Sequence, residues 1–171
     1  MGRELKEDFF RLDGAWASFE LMTIRKLDDY LKPFRVLRCK IDDQVDFQMS
    51  DVVRSTTEAT LLIEVLGEEE LVAAGGQGPV HAVDNAMRKI LEKHYPQLSE
   101  VRIEEFDVRL FHPEGLTEDD PGTGSLVRVL AIFSDGRDRW GTVGVAADIL
   151  QASVECIIDG LEWKLRGEHK H

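Results

Sequence analysis

Apolar positions along this chain form short alternating runs followed by a helical stripe, and that order occurs twice. Residues 34–41 (FRVLRCKI) alternate, placing Leu37, Cys39 and Ile41 on one face of a strand. Residues 42–57 are acidic and polar, a loop by composition. ATLLIEVL (59–66) and ELVAAG (70–75) read as two strands around a turn at Gly67. From Pro79 to Tyr95, Val80, Val83, Met87, Ile90 and Leu91 recur at helical spacing. Pro79 suits the first helical position, and Tyr95-Pro96 ends the helix. The second half repeats this order. VRIEEFDVRLF (101–111) alternates Phe106, Val108 and Leu110 onto one face, and residues 112–125 form a Pro/Gly/acid-rich loop. LVRVLAIFS (126–134) and RWGTVGV (139–145) make a hairpin around Asp135-Gly136, a pair suited to a type I′ turn. A helix follows from Asp148 to Leu165, with Ile149, Leu150, Val154, Ile157, Ile158 and Leu161 as its stripe. Asp148 and Gln151 are spaced as a capping box.

The expected fold is therefore α+β: duplicated βββα units, each a three-stranded sheet covered by one helix. The chain divides into residues 1–33, a first repeat at 34–98, a second at 99–167, and a polar tail at 168–171. The first segment stands outside the repeat. Ala17 to Leu31 reads as one amphipathic helix showing Phe19, Met22, Leu27 and Tyr30, ended by Lys32-Pro33. A three-stranded sheet with one helix is marginal alone, so the units are expected to pack together and onto a second copy as a dimer.

Charge narrows the partners. With 33 acidic and 21 basic residues among 171, the net charge is −12, which disfavours nucleic acid and anionic lipid surfaces. No apolar run approaches membrane-spanning length, and the start (MGRELKEDFF) lacks a signal-peptide core, so a cytoplasmic protein is expected. Cys39 and Cys156 lie in apolar segments and read as reduced, packed thiols. Neither a phosphate-binding loop nor a Cys or His pair at metal spacing is present. The acidic run Glu118-Asp119-Asp120 lacks calcium-loop spacing, and His94 reads as a dipole partner near a helix end. A binding or regulatory module is expected, without catalytic residues, metal or cofactor of its own.

Four segments, in order, carry a family resemblance: GAWASFELMTIRKL (14–27), GGQGPVHAVDNAMRKILEKHYP (75–96), VRIEEFDVRLF (101–111) and SDGRDRWGTVGVAADILQAS (134–153). The second is close to G-x-G-P-V-x-A-[LV]-D-x-A-[LM]-R. Together they resemble the C-terminal regulatory part of the 2-isopropylmalate synthase family, and within it the citramalate synthase branch. The resemblance implies a dimeric, duplicated βββα domain that binds an end-product amino acid. Isoleucine is the implied effector for the citramalate branch and leucine for the other. It further implies a catalytic barrel of the same chain, absent here, which condenses acetyl-CoA with a 2-oxo acid using a divalent metal. Residues 14–27 are similar to the linker subdomain between the two parts.

A free amino acid needs a home for its carboxylate, acceptors for its ammonium and an apolar slot. Helix N-termini bind carboxylates through unpaired N–H groups and the helix dipole. Gly76, Gly78 and Pro79 open the first repeat's helix, and Gly144 to Ala147 open the second's. Both clusters also fit plain strand-to-helix turns, and a phosphate is disfavoured because no Lys follows. By resemblance, Ile103, Phe106, Leu110 and Val127 line the apolar slot and Val145 and Ala147 its wall; each also fits ordinary core packing. Many relatives have tyrosine at the position of Phe106, and some have proline at that of Ala147. A leucine sensor and a dimerisation scaffold without effector are the rival readings.

Overall fold

The computed structural model describes residues 14–46, 54–111 and 126–166. In chain order the elements are α1 (Trp16–Ile24), β1 (Phe34–Asp46), β2 (Arg54–Val65), β3 (Glu68–Gly76), α2 (Pro79–His94), a 3₁₀ turn (Pro96–Glu100), β4 (Arg102–Phe111), β5 (Leu126–Ser134), β6 (Arg139–Ala146) and α3 (Ile149–Leu165). The strands form two antiparallel three-stranded sheets, β1-β2-β3 and β4-β5-β6. The duplicated βββα architecture expected from the repeating pattern is present. Contacts divide the chain into two compact units. One is built on residues 32–99, the other on residues 100–164 together with the segment ending at Leu31.

In the first unit, α2 buries Ala82, Val83, Ala86, Met87, Ile90 and Leu91, with Val80 half-buried. These residues meet Ala59, Leu61 and Ile63 of β2 and Val72 of β3. Fully burying each Leu, Ile or Met contributes roughly 1.5–3 kcal/mol relative to exposure. The β2–β3 hairpin closes through Leu66 and Gly67, both at positive φ (53° and 84°), as a type I′ turn requires. Tyr95 donates its hydroxyl to the Pro33 carbonyl at 2.8 Å, and Leu98 of the 3₁₀ turn is buried. His94 lies in the last turn of α2, with Nε2 2.5 Å from Glu70.

Three expectations change here. Residues 42–46 and 54–57, expected as loop, extend β1 and β2, pairing Asp42 with Glu58 and Asp43 with Thr57. Composition misled because the row is stabilised by polar cross-strand contacts: Thr57 donates to Asp43 at 2.5 Å. Residues 47–53 lie outside the described residues. Second, Leu37 does not share a buried face with Cys39 and Ile41. It sits at a bulge between Val36 and Arg38 and is exposed. Third, Cys39 is exposed rather than packed. It pairs with buried Leu61 on the core-side face, but α2 lies over β2 and β3 and barely reaches β1.

In the second unit, β5 and β6 carry the core. Phe133 stacks on Trp140 and Trp140 on Trp163, and Trp140 donates Nε1 to the Gly160 carbonyl at 3.0 Å. Glycine lets α3 approach the sheet closely. A Cβ on Gly160 would lie 2.2 Å from the Phe133 ring, and one on Gly144 1.9 Å from the Ala152 carbonyl oxygen. Thr142 donates to the Cys156 carbonyl at 2.8 Å, and burial pushes the Cys156 thiol up to about 12. The small residues Ala152 and Cys156 thus make the close sheet contact, and Ile149 of the expected stripe is exposed. Asp148 caps α3 through Oδ1, accepting from Leu150 and Gln151 N–H at 2.6 and 3.0 Å. The reciprocal half of the expected box is not made, since Gln151 donates its side chain to Glu155.

The β5–β6 turn also departs from expectation. Four residues, 135–138, connect paired Ser134 and Arg139. Asp135 accepts from the N–H groups of Arg137 and Asp138, and only Gly136 of the four has positive φ. A hydrogen bond from Lys164, with those backbone donors, holds the Asp135 carboxyl well below its usual range.

The expected helix 17–31 ends at Ile24, and turns carry the chain on to Tyr30. Asp28 and Asp29 would face the negative end of a longer helix, which disfavours continuation. Its buried side is Ala17, Ser18 and Leu21, whereas Phe19 and Leu27 of the expected stripe are exposed. No helix among the described residues is long and apolar enough to cross a membrane.

Candidate functional site

The entrance to α2 is built by a glycine pair with different roles. Gly76 ends β3, and a Cβ there would lie 2.3 Å from the Ala82 nitrogen, so only glycine lets the strand run this close to the helix. Gly78 is the N-cap residue at φ −178°, an extended conformation any residue adopts, with open space around its absent Cβ. The fold does not demand glycine there. Pro79 takes the first helical position, and no side chain among the described residues caps the helix. The positive end of the dipole thus has no acidic residue in its own first turn. Gln77 N–H is held by His81 Nδ1 at 3.2 Å, and Asn85 donates to the Gly75 carbonyl at 3.0 Å, fixing the turn.

The entrance to α3 is different. Asp148 Oδ1 takes two N–H groups of its first turn, so a second anion would meet both a carboxylate and spent donors. Gly144 is not part of that turn; it lies within β6 beneath Ala152. Val145 pairs with Arg128 and packs with Val143, Ala15 and Met22, on the face opposite Val127. Ala147 follows the end of β6, directly before Asp148.

Ile103, Phe106, Leu110 and Val127 do share a face. Pairing sets Ile103 against Phe133, Phe106 against Ala131 and Leu110 against Val127, with a bulge between Ile103 and Glu105 preserving the alternation. Val127 is buried, Ile103 partly so, while Phe106 is 37% and Leu110 72% exposed. The outer strand thus leaves an apolar strip uncovered beside the core. Phe106 carries no hydroxyl, so the strip's contribution is shape and apolar area.

Sequence reasoning missed a cleft of about 760 Å³ in the first unit, lined in part by Asp42, Asp43, Thr57, Glu58, Gly75 and Gly76. Asp42 and Asp43 belong to the stretch read as loop, and Gly76 links the cleft to the α2 entrance. Clustered carboxylates beside an uncapped helix start bring acceptors suited to an ammonium near donors suited to a carboxylate. The available signal was the acidic pair Asp42-Asp43, uninformative until the register placed it opposite Thr57 and Glu58. Among the described residues no group of three or more His, Cys, Asp or Glu is placed to hold a metal.

Two antiparallel three-stranded sheets, each packed with one helix, make a duplicated βββα domain. The chain belongs to the LeuA allosteric (dimerisation) domain family, whose profile matches residues 17–165. It is 40% identical over 163 residues to the (R)-citramalate synthase of Geobacter sulfurreducens, covering 95% of this chain and 29% of that protein. Identity to the (R)-citramalate synthase of Aquifex aeolicus is 36% over 169 residues, with 95% and 29% covered. Identity to that of Synechocystis is 32% over 164 residues, with 96% and 29% covered. The chain thus spans less than a third of the length of these relatives.

Proposed function

We propose that this domain senses isoleucine for a citramalate synthase, reporting the end product to a catalytic barrel of the same protein. That barrel would join acetyl-CoA to a 2-oxo acid with the help of a divalent metal. The observation that carries the reading is the difference between the helix entrances. The start of α2 is left without a side-chain cap, whereas that of α3 is closed by its own aspartate. The carboxylate of the effector goes to the α2 entrance at Gly76, Gly78 and Pro79, and the carboxylates of the adjoining cleft accept from its ammonium. In the second unit, taken by itself, Ile103, Phe106, Leu110 and Val127 are the candidates for an apolar contact.

Isoleucine is favoured over leucine because the relatives are citramalate synthases. Selection between the two isomers rests on slot shape, worth roughly 1–3 kcal/mol per misplaced methylene. The family description also supports a homodimer. Calorimetric titration of the protein with isoleucine, leucine, valine and threonine tests the reading. Selective binding of isoleucine is expected. Selectivity for leucine moves the assignment to the other branch, and no binding of any of the four replaces it with a dimerisation scaffold.

A further inference from the structure

Helix α2 carries a histidine near each end, and the two answer a proton in opposite ways. His94, in the last turn, holds Nε2 2.5 Å from Glu70 Oε1 on β3, and Lys93 Nζ lies 3.7 Å from the other oxygen of that carboxylate. A proton on His94 adds an ion pair and meets the negative end of the helix dipole. The hydrogen bond from His94, foremost, holds the Glu70 carboxyl below its ordinary range.

His81 is the third residue of α2, counting from Pro79. The Gln77 N–H donates to its Nδ1 at 3.2 Å, so the neutral ring carries its proton on Nε2. The side chain reaches back across the start of the helix, much as the Glu or Gln of a capping box does. It thereby occupies the N–H of the residue between Gly76 and Gly78. A protonated imidazole is a donor at both nitrogens and has no acceptor, so this bond cannot survive protonation. What results is a free N–H and a positive charge, both beside the α2 entrance. An imidazolium in the first turn is disfavoured by the helix dipole until an anion joins it. The other charged groups toward this end of the unit are Asp42 and Asp43 of β1 and Glu58 of β2, which line the cleft with Gly75 and Gly76 of β3. On α2 itself, Asp84 accepts from Arg88 at 2.8 Å.

We propose that His81 is a proton-operated gate on the α2 entrance. Neutral, its ring holds the Gln77 N–H against an incoming carboxylate; protonated, it releases that N–H and adds a charge that attracts the anion. The gate rests on the reading that the effector carboxylate goes to this entrance. Carboxylate binding and proton uptake by His81 then favour each other by the same factor. Histidine changes its charge in the physiological range, so the linkage falls between about pH 5 and 8.

The test titrates isoleucine into the full-length protein by calorimetry at about pH 8 and about pH 6, in two buffers of different protonation enthalpy. Wild-type affinity is expected to rise about fivefold or more toward the lower pH, as one released hydrogen bond allows, with net proton uptake on binding. His81→Gln keeps an acceptor that does not titrate and leaves every carboxylate of the cleft in place. Its affinity is expected to stay at the wild-type value for the higher pH under both conditions. His81→Ala removes the competing acceptor, and at the higher pH it is expected to bind about fivefold more tightly than wild type, a gain that a merely structural role would not give. His94→Gln is expected to lower the melting temperature and to keep the wild-type pH dependence of binding. The side chain of His81 is exposed, and far-ultraviolet circular dichroism checks that its variants fold. A wild-type affinity indifferent to pH, a pH dependence that persists in His81→Gln, or weaker binding by His81→Ala at the higher pH overturns the gate. Failure of the wild type to bind isoleucine at either pH overturns the effector reading instead, and the gate with it.

Discussion

The two repeats follow the same ladder almost step for step and part company at its last row. Each outer strand carries a bulge at the same step, Val36/Arg38 in the first and Ile103/Glu105 in the second. Val36, Ile63 and Glu70 of one sheet answer to Ile103, Phe133 and Trp140 of the other. At the far end, Asp43, Thr57 and Gly76 stand where the second repeat has Leu110, Val127 and Ala146. The helix entrances beside those rows diverge too, with Gly78 offering no cap and Asp148 supplying one. The repeats share the scaffold and differ at these ends, one polar with no side-chain cap on its helix, the other apolar with a helix capped by its own aspartate.

Substitutions that exchange features between the repeats sharpen this contrast. The largest effect falls on the close-packed glycines. Gly144→Val and Gly76→Val drive a side chain into helix backbone and are expected to cost roughly 3 kcal/mol or more. Denaturant unfolding of either variant within error of wild type would show that the strand–helix approach is looser than described. Next is Asp148→Ala, which removes the cap of α3 and is expected to lower stability by about 1 kcal/mol. It leaves isoleucine affinity unchanged if the carboxylate sits at α2, whereas a lost or strengthened affinity would move the site to α3. The smallest effect on folding belongs to Gly78→Asp, which gives the first repeat the cap of the second and shifts stability by only a few tenths of a kcal/mol, about the difference between these cap residues.

Much of this architecture was legible in the residues. The alternation of β5, the turn at Gly67 and Pro79 before an apolar stripe each encode local geometry, so the βββα order follows. What stayed hidden depends on partners far along the chain. Phe19 looked like part of the buried side of α1 but is exposed, and Ser18 is buried because Asp159 and Val143 claim its hydroxyl. A bulge reverses which residues face inward after it, so Leu37 could not be assigned by counting. Asp42 and Asp43 have loop composition and form strand because the facing Thr57 and Glu58 pair with them. Of the site, the α2 entrance and the β4 strip were named from motif resemblance. The cleft carboxylates were not, because only the register brings them to Gly76.

The most direct test of the effector reading is calorimetric titration of isoleucine into wild type and Gly78→Asp, with unfolding measured on both. A carboxylate placed at the α2 entrance competes for the donors that the effector needs and repels its charge, while the fold has room for the new side chain. The account predicts binding to wild type and none to Gly78→Asp at equal stability. Equal binding by both proteins would contradict it and place the effector elsewhere.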